Sequence, residues 1–114
     1  MTNQELFDIV VAHARKQKVR AVDNGVCKYR TPEGHKCFAG AVIKDEFYDK
    51  SFEGLGAAVP AVARALEASG VDSDQLDLVY KLQTIHDRNY EPQWDFEFSK
   101  LATEEGLTYE NNLA

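Results

Sequence analysis

Both cysteines of the chain, a histidine and three basic side chains fall within one short segment, from Cys27 through Lys28, Tyr29, Arg30, His35 and Lys36 to Cys37. Groups of these types can serve three chemistries. Cys27 or Cys37 becomes a nucleophile when a base takes its proton, and His86 is the candidate base. Lys36 and Arg30 nearby favour the thiolate. Asp87 follows His86 directly, which on a helix of 3.6 residues per turn points it about 100° away. Asp45 or Glu53 is therefore the better candidate to orient the imidazole. No nucleophile motif of a known class surrounds either cysteine.

The second chemistry is metal binding. Cys27, Cys37, His13 and His86 would make a Cys2His2 set, but structural zinc sites carry short C-x-x-C or H-x-x-x-H spacings and none occurs. No metal and no cofactor is expected; a reduced cysteine on a strand packs as a small apolar side chain. The third chemistry is recognition of a small anionic ligand. Arg30, with Lys36, Lys28 and His35, could grip a carboxylate or phosphate, the guanidinium in a bidentate way. Lys28 also reads as a plain solvated residue. Asp45, Glu46, Asp49 and Glu53 add negative charge nearby, which disfavours nucleic acid. Gly54 and Gly56 are not spaced as a dinucleotide or phosphate-loop fingerprint.

The elements decide what meets. Thr2-Asn3-Gln4-Glu5 is a capping-box pattern and predicts a helix to about Gln17. Leu6, Phe7, Val10 and Ala14 share its buried arc, with Glu5, Asp8 and Arg15 opposite. Val19 to Ala39 reads as β, with strands Val26 to Arg30 and His35 to Phe38 joined by a turn at Thr31-Pro32-Glu33-Gly34. That pairing sets Cys27 opposite or diagonal to Cys37. A second helix is expected from Ala41 to about Tyr48, then a loop from Ser51 to Gly56. A third runs from about Ala58 to Ser69 and stops at Gly70. A fourth is capped by Asp72 or Ser73 and reaches about Arg88. Pro92 opens a fifth, through Trp94, Phe98 and Leu101 to Gly106. The fold class is therefore α+β: a helix-dominated single domain over residues 1–114, about five helices around one β-hairpin. The hairpin cannot stand alone and must pack on helices. The polar stretch 108–114 is expected to fray.

Two helices point polar groups the wrong way. The fourth sets Asp77, Lys81, Thr84 and Arg88 on a solvent stripe. Its other side carries Leu76, Val79 and Leu82, but also Gln83 and His86, with Tyr80 and Asp87 at the edge. The first sets His13 and Gln17 beside Leu6 and Val10. Inward polar groups must be hydrogen-bonded. Either they tie loops to helices or they line a cleft. In a cleft, the ligand-binding residues are Tyr29, Arg30, Lys36, Gln83, His86, Asp87, His13 and Gln17, converging on one interior.

Composition narrows the classes. With 114 residues, 44% hydrophobic and 28% charged, the chain can bury a core without disulfides or metal. A net charge of −6 and no basic tail argue against duplex nucleic acid. No apolar run is long enough for a membrane span, and the first residues lack the order of a signal peptide. A cytoplasmic protein with reduced thiols is expected.

Taken together, Cys27-x-Tyr29-Arg30, Gly34-x-Lys36-Cys37-x-x-Gly40-x-x-Ile43-x-Asp45-x-x-Tyr48, Glu53-Gly54 and Leu82-Gln83-x-x-His86-Asp87 resemble the signature of a family of small phage and prophage proteins. Tailed bacteriophages, prophages and some bacteria encode them. His13 and Gln17 of the opening helix fit the same pattern. The resemblance implies no particular activity. It implies a phage setting, in which small acidic proteins bind host proteins or block defence. The expected function is a non-enzymatic binding protein, acting on a host or defence component or a small anionic ligand. The alternative is a small enzyme with Cys27 or Cys37 as nucleophile and His86 as base.

Overall fold

The Thr2 hydroxyl accepts from the Glu5 amide at 3.0 Å, and the Glu5 carboxylate accepts from the Thr2 amide at 2.7 Å. This reciprocal cap opens α1 (Asn3–Gln17) in the computed structural model, which describes residues 1–110. Leu6, Phe7, Val10, Val11 and Ala14 turn inward, as the 3.6-residue period requires. Lys18 ends the helix in the left-handed region, at φ 69°.

The hairpin lies upstream of the expected place. β1 (Val22–Asp23) and β2 (Val26–Cys27) pair antiparallel, Val22 with Cys27 and Asp23 with Val26. Their turn is Asn24-Gly25, with φ of 52° and 76°. Positive φ at both central residues is the type I′ geometry, whose twist matches that of paired strands. The expected turn at Thr31–Gly34 closes a single bridge, between Arg30 and Lys36. Pairing stops there because α1 takes both outward groups of Lys36. Gln17 Oε1 accepts from its N–H, while Gln17 Nε2 and His13 Nε2 donate to its carbonyl, each at 2.8 Å. Cys37 then turns the chain into a helix. Cys27 therefore pairs with Val22 and not across from Cys37.

α2 (Phe38–Val42) begins at Phe38 rather than Ala41, and ends where Ile43 becomes extended. So short a helix needs its first amides satisfied from outside. Cys37 Sγ accepts from Gly40 at 3.3 Å and Gln83 Oε1 accepts from Ala39 at 2.8 Å. Short 3₁₀ turns at Asp45–Phe47 and Lys50–Phe52 replace the expected continuation to Tyr48. α3 (Pro60–Ala68), α4 (Leu76–Arg88) and α5 (Trp94–Glu105) lie where the periodicity places them. Asp72 caps a 3₁₀ turn that leads into α4, and Gly106 stops α5 at φ 69°.

α2 packs against α1 on one side and α4 on the other, with α5 laid on α4. Phe38 sits at the junction. It stacks on Phe98 at 5.5 Å and meets Trp94 at 5.0 Å and His86 at 5.1 Å. Leu6, Phe7, Ile43, Leu66 and Leu82 fill the rest of the core without exposure above 2%. The result is a helix-dominated α+β fold, with five α-helices and one two-stranded hairpin among the described residues.

Thr108 and Tyr109, expected to fray, are held instead. Thr108 exchanges two hydrogen bonds with the Gln4 side chain at 2.9 and 3.0 Å. The Tyr109 ring lies edge-on to Phe7 at 5.8 Å and its hydroxyl donates to Asp95. Residues 111–114 of the expected tail lie outside the described residues. Among the described residues no helix is long and apolar enough to cross a membrane.

Candidate functional site

The segment between β2 and α3 has little regular structure, so its backbone groups need side-chain partners. Glu53 supplies two of them. Its two carboxylate oxygens accept from the Tyr29 amide at 2.8 Å and the Arg30 amide at 3.1 Å, and the Tyr48 hydroxyl donates to it at 2.6 Å. The phenol of Tyr48 is pushed up to about 12 by burial and by that carboxylate. Tyr29 donates its own hydroxyl to the Leu55 carbonyl at 2.7 Å. Arg30 pairs with Asp45 at 2.7 Å, donates to the Ile43 carbonyl at 2.9 Å and lies 4.5 Å over the Tyr48 ring. Lys36 reaches the same Asp45 oxygen at 3.5 Å. The Arg30 hydrogen bond, then the Lys36 charge, hold the Asp45 carboxyl below its usual range. Of the groups proposed for an anion site, Arg30 and Lys36 are thus paired internally, and His13 and Gln17 serve the Lys36 peptide. The eight ligand-binding candidates do not meet in one interior.

Three of them do meet around Asp87. His86 is fully buried, and its Nε2 accepts the Ala21 amide at 3.0 Å. An N–H donor at Nε2 fixes the proton on Nδ1, which donates to Asp87 Oδ1 at 2.8 Å. Gln83 Nε2 donates to the same oxygen at 2.9 Å while its Oε1 holds α2. His86 and Asp87 were expected to point apart on the helix. They bond because Nδ1 is the ring nitrogen nearer the backbone, within reach of a short carboxylate at the next residue.

Beside this pair a cleft of about 280 Å3 opens, with Asp87 and Gln83 on one wall and Cys27, Tyr29, Cys37 and the Gly54–Ala57 loop around it. The Gly54–Ala57 wall left no functional signal in the sequence beyond its two glycines.

The geometry separates the chemistries. His86 has no free lone pair: Nε2 is occupied by Ala21 and Nδ1 carries the proton, so it is not placed to deprotonate a thiol. Burial, and after it the Asp87 charge, push the Cys27 thiol up; burial pushes Cys37 to about 12. Neither sulfur is held as a thiolate. Cys27 Sγ, a His86 nitrogen and an Asp87 oxygen lie within 4.8 Å of one another, donor types that bind metals. The same tautomer argument counts against them, since ligation would cost the Ala21 bond. His13 and Cys37, the other zinc candidates, are engaged with Lys36 and Gly40.

His13 makes stability depend on pH. Burial holds its imidazole below the ordinary 6.5, because the folded protein favours the neutral ring. A depressed folded pKa means this contribution is full above 6.5 and is lost as pH falls below it. The urea midpoint is expected to drop between about pH 7 and about pH 5. His13→Gln keeps a donor toward Lys36 and is expected to flatten that drop. The Asp45 contribution, by the same sign, is lost only below its usual 3.8.

Comparison of the chain with family models, curated proteins and solved structures gave no match, so its chemistry rests on this arrangement alone.

Proposed function

We propose that the chain is a small acidic, non-enzymatic binding protein of phage type, working in the host cytoplasm on a host or defence protein. The observation that carries this reading is how the inward polar side chains are used. His13, Gln17, Glu53, Gln83 and His86 each hold a backbone group, and of these Gln83, with Asp87 beside it, also faces an open cleft. The phage setting rests on the resemblance of the signature residues. A protein partner is preferred over a small anionic ligand because Arg30 and Lys36 already face Asp45. The enzyme alternative is disfavoured by thiols pushed above their usual range and by a histidine with no free lone pair.

A tagged chain recovered from bacterial cytoplasm is expected to hold one host protein at fixed stoichiometry. The pair rebuilt from purified components is expected to co-sediment. Thiol chemistry tests the other side. At neutral pH, iodoacetamide is expected to alkylate Cys27 more slowly than free cysteine, and Cys37 only after unfolding. A thiol faster than free cysteine would overturn the non-enzymatic reading.

A further inference from the structure

Resting on the protein-partner reading, we propose that the cleft beside Asp87 receives a cationic side chain of the partner, the guanidinium of an arginine or the ammonium of a lysine. Asp87 is the only carboxylate lining this cleft among the described residues. Its Oδ1 is pinned by two neutral donors, His86 and Gln83, the Cys27 thiol lies beside it, and its side chain stays 40% exposed.

Other acidic groups are differently placed. Asp45 faces Arg30 and Lys36, while Asp77 and Glu105 face Lys81. No lysine or arginine pairs with Asp87 among the described residues, so its charge is unspent.

The carboxylate is also held still. His86 is clamped between Phe38 at 5.1 Å and Trp94 at 6.2 Å, and its tautomer is set by Ala21. A group fixed before binding loses little freedom on binding, so its affinity is not spent on ordering.

The walls suit an aliphatic stem with a charged tip. Tyr29, anchored through its hydroxyl, stands with Cys37, Leu55 and Ala57 around the cleft. Gly54 and Gly56 leave the loop side thin. A volume of about 280 Å3 is small for a drug-sized ligand and adequate for one long side chain. Lys28 at the lining is the opposing charge, and its flexible stem lets the ammonium turn to water. The net charge of −6 draws a basic partner toward the surface.

The test titrates the isotope-labelled chain with capped arginine amide, and in parallel with capped norleucine amide, reading backbone amide shifts. Arginine is expected to move Cys27, Leu55 and Asp87, and norleucine to move none of them. Asp87→Asn keeps an oxygen for His86 and Gln83 and removes only the charge; it is expected to weaken arginine binding about tenfold or more. Lys28→Gln is expected to strengthen it, and added salt to weaken it. Shifts that are absent, lie elsewhere, or persist equally in Asp87→Asn overturn the proposal. A host protein that binds wild type and Asp87→Asn equally removes the cation site and leaves the partner reading standing. Arginine binding at the cleft without any host protein does the reverse.

Discussion

Gly40→Ala is expected to unfold the protein more readily than any other change of one methyl group. Gly40 sits inside α2 at ordinary helical φ, where intrinsic preference alone would make alanine the better residue by about 1 kcal/mol. Packing decides otherwise. A Cβ there would stand 2.3 Å from the Tyr29 carbonyl oxygen and 3.1 Å from its carbon. That carbonyl cannot step aside: it accepts from Cys37 at 3.1 Å, and Tyr29 is pinned at its amide by Glu53 and at its hydroxyl by Leu55. The expected net loss is about 3 kcal/mol or more. For a domain of this size that is a fall in Tm of roughly 10 °C or more. Thermal and urea melts decide it, and a raised Tm would mean the close approach does not exist.

His86→Ala is expected to cost about 3–5 kcal/mol, measured by the same urea titration. The variant leaves the Ala21 amide unpaired in the core and opens a void beside Phe38 and Trp94. It also releases Asp87 from its fixed position. Asp87→Asn makes the informative contrast, since it preserves all three contacts of the pair and leaves Tm nearly unchanged. Loss of stability in the first and loss of arginine binding in the second would separate the scaffold from the recognising group.

All the helices but α2 were legible because their signals are local. The Thr2 to Glu5 box, the stops at Gly70 and Gly106, and the stripe of Asp77, Lys81, Thr84 and Arg88 each read directly onto the structure. The hairpin was misplaced because two turn signals competed within a few residues. Asn24-Gly25 won, since its two positive φ values suit paired strands, whereas beyond the turn at Pro32 the backbone of Lys36 is taken by side chains of α1. The inward polar residues were visible from periodicity, but their partners were not. Periodicity tells which way Gln83 points; it does not tell that an amide of α2 and a carboxylate four residues on will meet it. In the sequence Glu53 is one acid among several, and only the tertiary fold makes it the support of Tyr29, Arg30 and Tyr48.

The segment from Lys28 to Lys44 carries one further consequence, for how the molecule assembles. Its own regular structure is the short α2 and a single bridge, and side chains from elsewhere hold the rest: α1 holds Lys36, Glu53 holds Tyr29 and Arg30, α4 holds Ala39, and Ser69 holds Lys44 at 2.9 Å. Parts of the chain that far apart in sequence must all be in place before the segment gains anything by ordering. It therefore cannot form early as a local unit, nor open alone once formed. Its amide protons are expected to exchange at rates near those of the helices that hold it, with the cleft wall sharing the cooperative transition of the core rather than moving as a lid.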